Sequence, residues 1–163
     1  MHPNRKPTRL AGYDYSCENA YFITSVVKGR KNIFGEVLDR KVSLNEFGMI
    51  ANDQMIWLKN QYTYIKIPVW IIMPNHVHAI IEITISNPIC RCKSRPTSTN
   101  ELKIKSLSEL MGAYKTTSSK LIHLAGLPEF QWQRSFHDRI IRNQYEYQNI
   151  YNYIVNNPMN RNK

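Results

Sequence analysis

Acidic side chains are scarce in this sequence: 12 aspartates and glutamates stand against 22 lysines and arginines among 163 residues. No apolar run approaches the roughly 20 residues that a helix needs to cross a bilayer, so we expect no membrane-spanning segment. The composition, with 42% apolar and 21% charged residues, excludes a disordered or fibrous chain. The formal net charge of +10 favours a nucleic-acid partner, although charge alone does not distinguish this from a generically basic protein.

The sequence contains only three cysteines, which is an odd number. Cys17, Cys90 and Cys92 cannot all pair within one chain, and the first nine residues lack the apolar segment of a secretory signal. Cys90 and Cys92 have the form of half a zinc site, but no second pair follows at the spacing of a zinc finger. We therefore expect reduced thiols in a cytoplasmic protein.

The length is that of one domain, so we interpret residues 1–163 as a single unit. Two stretches lack the periodicity of helices and strands. Residues 1–15 form a basic N-terminal arm that ends in a turn-prone segment, and residues 86–105 combine two prolines with five basic side chains. We expect the second stretch to be a flexible basic loop.

Hydrophobic periodicity predicts seven elements in the order β-α-β-β-α-β-α. The predicted strands are 20–27, 64–73, 76–85 and the first half of 130–141, and the predicted helices are 43–60, 106–125 and 144–157. Ser43 opens the first helix because residues 43–46 have the form of a capping box. Only Pro74 and Asn75 separate the second and third strands, which favours an antiparallel hairpin. The order predicts an α+β, two-layer sandwich in which helices cover an antiparallel sheet of four to five strands.

Two histidines open the third predicted strand. His76 and His78 are two residues apart, so their side chains point to one face, whereas the alternate residues of the strand are all apolar. Two neutral imidazoles side by side on a rigid strand can bind one divalent ion and leave positions for water and substrate. The alternative is a pair of surface histidines on a half-exposed strand.

The last predicted helix has an aromatic side chain away from its apolar stripe. That stripe consists of Tyr147, Ile150, Tyr151 and Ile154. Tyr153 lies about 110° from the centre of the stripe, and Asn157 follows one turn later. A phenol and an amide oxygen are thereby presented together, and a base or a metal could make the phenol a nucleophile. The alternative is that Tyr153 is one of several partly exposed tyrosines.

Tyr114 is the competing tyrosine. It lies on the apolar stripe of the second predicted helix, so we interpret it as a core residue or as a surface on which a base stacks.

Four segments together resemble the single-tyrosine transposases that carry the HUH motif, in which two histidines flank a hydrophobic residue. The resemblance is strongest to the REP-associated tyrosine transposases and their insertion-sequence relatives. His76-Val77-His78 matches the motif, and the other matching segments are 12–16 with 20–24, 134–143 and 153–158. The segments follow the family's order over nearly the whole chain, which makes them more specific than a bare pair of histidines.

The resemblance implies a ferredoxin/RRM-like HUH fold and a site on named residues. It implies that His76, His78 and Asn157 hold a Mg²⁺ or Mn²⁺ ion, although insertion-sequence relatives have glutamine in place of Asn157. It also implies that Tyr153, on the tyrosine-bearing helix 144–157, is the nucleophile in preference to Tyr114. The implied activity is cleavage and rejoining of single-stranded, hairpin-containing DNA through a 5′-phosphotyrosine intermediate.

A single-stranded substrate needs a basic groove with aromatic surfaces. The candidate phosphate contacts are Arg5, Lys6, Arg9, Lys115, Lys120, Arg134, Arg139 and Arg142. Each of them could equally be a solvated surface charge.

Two other functions stay open at this point. One is a non-catalytic protein that holds nucleic-acid hairpins on the same scaffold. The other is a metal-dependent phosphodiesterase that uses activated water and forms no covalent adduct. The oligomeric state is also open, because some members of the family complete each site with the partner's tyrosine helix and others act as monomers.

Overall fold

The structure, a computed structural model, describes residues 13–84 and 104–158. The strands are β1 (Asn19–Val26), β2 (Gly35–Leu38), β3 (Lys41–Leu44), β4 (Ile65–Met73), β5 (His76–Ile83) and β6 (His137–Ile141). The helices are α1 (Glu46–Gln61), α2 (Leu107–Leu124) and α3 (Gln144–Val155). One turn of 3₁₀ helix, Lys28–Arg30, follows β1.

Four of the strands form one antiparallel sheet in the order β4-β5-β1-β6. β1 pairs with β5 on one side and with β6 on the other, so β1 and β5 are the central strands. α1 lies between β1 and β4 in the chain, and α2 lies between β5 and β6. This is the β-α-β-β-α-β arrangement of ferredoxin-like folds, which confirms the predicted α+β class with an antiparallel sheet covered by helices.

The larger core lies between one face of the sheet and the pair α1 and α2. β5 contributes Val77, Ala79, Ile81 and Ile83 to this core, all buried. The two helices face them with the apolar stripes that their 3.6-residue period creates, and Tyr114 of α2 is among the fully buried side chains. The structure therefore supports the core interpretation of Tyr114, whose hydroxyl donates a hydrogen bond to the carbonyl of Ala51 at 3.2 Å.

α3 covers the opposite face of the sheet. Its buried residues Ile150 and Ile154 pack with Val69, Ile80 and Ile141 in a second, smaller cluster. Tyr147 and Tyr151 pack against the same cluster, so the apolar stripe predicted for this helix is confirmed. The helices thus lie on both faces of the sheet, and α3 is attached to it by only a few buried side chains.

The predicted start of the first helix is wrong. Ser43 belongs to β3, where it pairs with Glu36 of β2, and α1 begins after Asn45, whose side chain accepts a hydrogen bond from the backbone N–H of Gly48. The β2–β3 hairpin was not predicted, because its turn contains Asp39 and Arg40 at positive φ in place of the Asn-Gly or Asp-Gly pair that signals such a turn.

The strand predicted in the first half of 130–141 is also misplaced. β6 occupies the second half, and the preceding segment contributes three buried aromatic side chains to the core, Phe130, Trp132 and Phe136. The only strand-like backbone pairing described for Trp132 is an isolated β-bridge to Val27. Phe130 and Trp132 pack with Phe34 of the loop after β1, a tertiary contact that overrides the local alternation.

The other predicted elements are confirmed to within a few residues. Pro74 and Asn75 form the turn between β4 and β5, and Ser106 caps α2 in a capping box with Glu109. No helix in the part of the chain that the structure describes is long and apolar enough to span a bilayer. Cys90, Cys92 and most of the predicted arm and loop lie outside the described residues.

Replacing Ile154 with alanine is expected to lower the free energy of unfolding by about 2–5 kcal/mol, because the side chain is fully buried in the small cluster beneath α3. Urea unfolding measures this loss. Val155→Ala is the matched control. Val155 is the next residue along α3 and is 53% exposed, so its truncation should change the free energy of unfolding little. Equal effects of the two substitutions would contradict the packing of α3 on the sheet.

Candidate active site

The two histidines lie at the start of β5, next to the Pro74–Asn75 turn. The sheet pairs β5 on both sides, so the backbone that carries them is held by β1 and β4. Both side chains point to the α3 face, and their ring centroids are 4.6 Å apart at an interplanar angle of 75°. The strand therefore presents two imidazoles side by side, as its alternation predicted.

His78 is 5% exposed, whereas His76 is half-buried. Burial, followed by the proximity of His76, lowers the pKa of His78 to about 3, and a hydrogen bond with the backbone of Ile23 opposes this shift in part. His78 is consequently neutral at physiological pH. Neutral imidazole is the form of histidine that binds metal ions.

Tyr153 lies beside His78 within the same subunit. Its ring centroid is 5.4 Å from that of His78 and 6.1 Å from that of Phe22. Phe22 in turn stacks on His78 at 5.3 Å, so the three rings form one aromatic cluster. The side chain of Tyr153 remains 45% exposed, which leaves its phenol accessible to a substrate.

Asn157 follows Tyr153 by four residues, in a short 3₁₀ turn after α3, and is 8% exposed. Within 13–84 and 104–158, no third histidine, cysteine or carboxylate completes a metal-binding group with the two imidazoles. A third protein ligand of another kind, such as an amide oxygen, would complete the group. The assignment of Asn157 as that ligand stays a prediction.

Two residues that the sequence analysis did not assign contact the histidines. The hydroxyl of Thr24, on β1, lies 2.8 Å from Nδ1 of His78, and the amide Oδ1 of Asn75 lies 2.6 Å from Nδ1 of His76. Thr24 is the register partner of His78. The sequence could have indicated Asn75 by its position beside His76, but Thr24 required the strand register.

Glu82 and Tyr147 attach α3 to β5 beside the site. Glu82 lies on the same face of β5 as the histidines, and the Tyr147 hydroxyl donates a hydrogen bond of 2.7 Å to its carboxylate. Burial, with the hydrogen bond and charge of Glu82, raises the pKa of Tyr147 to about 12. This bond positions the helix that carries Tyr153.

Replacing Tyr147 with phenylalanine is expected to lower the free energy of unfolding by about 1–2 kcal/mol, because the partly buried Glu82 carboxylate loses its donor. Thermal or urea unfolding provides the measurement. Tyr145→Phe is the control on the same helix, since the Tyr145 side chain is largely exposed. A Tyr147→Phe protein as stable as the Tyr145→Phe protein would argue against this bond as an anchor of α3.

The predicted phosphate contacts are divided between two surfaces and the undescribed arm. Lys115, Lys120 and Arg134 line a cavity of about 650 Å³ between α2 and the segment before β6. Lys115 is also engaged internally, because its Nζ donates to the carbonyls of Gln133 and Ser135 at 2.8 and 2.9 Å, and burial lowers its pKa to about 8. Arg5, Lys6 and Arg9 lie outside the described residues.

The second surface lies near the histidines. Arg139 is the register partner of Phe22, so it shares the sheet face that carries the site, and it forms an ion pair with Glu146 of α3. Arg142 is exposed, just before α3, and its backbone N–H also donates to Glu146. His137, which the sequence left unassigned, pairs with Thr24 and lies on the same face.

Comparison with known proteins agrees with this architecture. No family profile matches the chain. An uncharacterized protein of Haemophilus influenzae is 30% identical over 96% of this chain and 89% of its own length, so the two belong to one family. A REP-associated tyrosine transposase, solved bound to a REP hairpin, superimposes with a TM-score of 0.63 at 19% identity over 94% of this chain and 74% of its own.

The chain has the fold of the REP-associated tyrosine transposases. A candidate transposase of Deinococcus radiodurans, solved by crystallography, has the same fold with a TM-score of 0.50 at 16% identity, over 91% of this chain and 95% of its own. The resemblance that the HUH motif and its companion segments indicated is therefore confirmed. At these identities the transposase fold is shared, and the chemistry has to be argued from the site itself.

Proposed function

We propose that this protein is a transposase that cuts and rejoins single-stranded DNA next to a hairpin, with Tyr153 as the nucleophile and a divalent ion as cofactor. The observation that carries the proposal is the convergence of three side chains: the Tyr153 ring lies 5.4 Å from His78, which lies 4.6 Å from His76. The DNA hairpin bound by the structural neighbour and the net charge of +10 support a DNA substrate.

The donor set fits a Mg²⁺ or Mn²⁺ ion. His76 and His78 would supply two imidazole nitrogens and Asn157 an amide oxygen, which leaves positions for phosphate oxygens and water. The bound ion would polarise and orient the scissile phosphate. His78 stacks on the ring of Phe22 and is neutral at physiological pH, so a cation would not have to displace a proton in order to bind it.

The proposed reaction exchanges one phosphodiester bond for another. The phenolic oxygen of Tyr153 attacks the phosphorus in line and loses its proton to solvent, while the 3′ oxygen of the upstream nucleotide leaves and is protonated to a 3′-hydroxyl. The downstream strand stays attached to Tyr153 through its 5′-phosphate. Attack by a 3′-hydroxyl reverses the step, so rejoining needs no nucleotide cofactor. The protein contributes chiefly positioning and charge stabilisation.

Arg139, Arg142 and His137 are suited to hold the DNA backbone at the site, because they lie on or beside the sheet face that carries the histidines. The cavity lined by Lys115, Lys120 and Arg134 would hold a more distant part of the strand. We place the reaction in the cytoplasm, within a single domain.

The test is incubation of the purified protein with end-labelled single-stranded hairpin DNA and Mn²⁺ or Mg²⁺, followed by denaturing gel electrophoresis. A covalent protein–DNA adduct and a released 3′-hydroxyl strand are expected. Cleavage with turnover and no adduct would indicate a phosphodiesterase that uses water, and binding without cleavage would indicate a hairpin-binding protein. Either of these results would overturn the proposed mechanism.

A further inference from the structure

We infer that Asn75 and Thr24 are positioning residues that hold His76 and His78 in the tautomer with the proton on Nδ1, so that both rings direct the lone pair of Nε2 to one cation. The inference rests on the proposed function, because it concerns how the two imidazoles become metal ligands. It assigns a role to two side chains that do not themselves touch the reacting atoms.

The carbonyl of Arg30 fixes the orientation of the Asn75 amide, and through it the tautomer of His76. A carbonyl oxygen only accepts hydrogen bonds, so the atom of Asn75 that lies 3.2 Å from it is the amide nitrogen Nδ2. This orients the side chain of Asn75 with its oxygen towards His76, at 2.6 Å from Nδ1. Since an amide oxygen also only accepts, Nδ1 of His76 must carry the proton, and Nε2 of the neutral ring then carries the lone pair.

The backbone around Asn75 is held in place by the loop after β1. The N–H of Val27 donates to the carbonyl of Asn75 at 2.9 Å, and the N–H groups of Ile33 and Phe34 both donate to the carbonyl of Pro74 at 2.8 and 2.9 Å. Arg30 belongs to the same loop. The orientation of the Asn75 amide is therefore determined by a surrounding network rather than by His76 alone.

His78 is held from the neighbouring strand β1. Thr24 is the register partner of His78, and its hydroxyl lies 2.8 Å from Nδ1. A hydroxyl can donate or accept, so this contact is compatible with a proton on Nδ1 of His78 and an accepting Thr24 hydroxyl. We assign to His78 the same tautomer as to His76, because only then do both rings keep the Nε2 lone pair for one cation, and the Thr24 hydroxyl then acts as the acceptor.

The consequence is a pair of ligands with matched tautomers. If either ring carried its proton on Nε2, that N–H would point at the cation site and block coordination until the proton moved. Hydrogen-bond acceptors behind metal-bound histidines, most often a carboxylate, a backbone carbonyl or a water, fix the ring in this way, and their removal weakens metal binding by about 10- to 100-fold. Asn75 and Thr24 would each contribute on that scale.

The direct test is the ¹⁵N NMR spectrum of the imidazole nitrogens in the metal-free protein, recorded at about pH 8, above the ordinary pKa of histidine of about 6.5. The expected spectrum shows protonated Nδ1 and unprotonated Nε2 for both His76 and His78. A spectrum with the proton on Nε2 of either ring would overturn the inference. Because it uses the wild-type protein, this measurement does not depend on whether any variant folds.

The second test is the affinity for Mn²⁺, measured by calorimetry without DNA. Asn75→Ala and Thr24→Val are expected to bind Mn²⁺ about 10- to 100-fold more weakly than the wild type. Thr24→Ser retains a hydroxyl at the same position and is expected to bind Mn²⁺ within a few-fold of the wild type. Thr117→Val is the control, since its hydroxyl bonds only within α2 in the described structure.

Unchanged Mn²⁺ affinity in folded Asn75→Ala and Thr24→Val proteins would overturn the inference, as would a wild type that does not bind Mn²⁺. The proposed function fails separately. If Mn²⁺ binds with the expected tautomers but no covalent DNA adduct forms, the nucleophile assignment is wrong and the positioning role stands. If the adduct forms but either histidine has its proton on Nε2, the nucleophile assignment stands and the positioning role of Asn75 and Thr24 is wrong.

Discussion

Replacing Tyr153 with phenylalanine is expected to abolish the covalent protein–DNA adduct and to lower the rate of strand cleavage on the order of 10⁴- to 10⁶-fold. The substitution removes only the phenolic oxygen, which is the proposed nucleophile. The ring keeps its contacts with His78 and Phe22, so the site should stay assembled. A denaturing gel of labelled hairpin DNA measures both the adduct and the cleaved strand.

Two tyrosines serve as controls. Tyr145→Phe alters an exposed phenol on the same helix and should leave the adduct unchanged. Tyr114→Phe removes the hydroxyl that donates to the carbonyl of Ala51, so it should cost about 1 kcal/mol of stability while the folded protein still forms the adduct. Loss of the adduct in folded Tyr114→Phe, with Tyr153→Phe still active, would show that the nucleophile is assigned to the wrong residue.

Replacing His76 with alanine is expected to remove the dependence of cleavage on added Mn²⁺ or Mg²⁺ and to lower its rate roughly 10³-fold, because a metal that polarises a phosphate is worth several kcal/mol and each 1.36 kcal/mol is a factor of ten. His76 is the better choice of the pair, since His78 is buried and stacks on Phe22, and its loss would also disturb packing. Rates over a series of metal concentrations provide the measurement.

His123→Ala is the matched control for this substitution. His123 lies on α2, on the other side of the sheet, where its Nε2 contacts the carbonyl of Phe130 at 2.8 Å. Because His123 also lines the cavity proposed to hold a distant part of the strand, its loss is expected to affect DNA binding at most, whereas the dependence of the rate on added metal should stay that of the wild type. Cleavage that continues at the wild-type rate in His76→Ala, or in wild type treated with a chelator, would contradict the role of the metal.

Much of the fold was predictable because its determinants are local. The alternation along β5 identified one apolar and one histidine-bearing face, and the capping box at Ser106 and Glu109 located the start of α2. The same kind of signal failed at residues 43–46, where a Ser-x-x-Glu pattern begins in β3 and ends on the first residue of α1, and the true cap is Asn45. Local patterns of this type fit two nearby positions, and only strand pairing selects between them.

The site was predictable in part for a similar reason. The position of Tyr153 off the apolar stripe is a property of the helical period, and the structure places Ile150 and Ile154 in the core as that period requires. The positions of the basic residues were not predictable. Arg139 faces the site because of its register with Phe22, whereas Lys115 donates its ammonium protons to the carbonyls of Gln133 and Ser135.

The sequence by itself determined which side chains share a strand face or a helix stripe, because these follow from periods of two and 3.6 residues that depend only on the local chain. Only the tertiary structure decided that α3 packs on the histidine-bearing face, that Tyr153 meets His78 within one subunit, and that Thr24 lies behind His78. Those contacts join residues far apart in the chain. They depend on strand register and on the burial of the small cluster beneath α3, which no local pattern encodes.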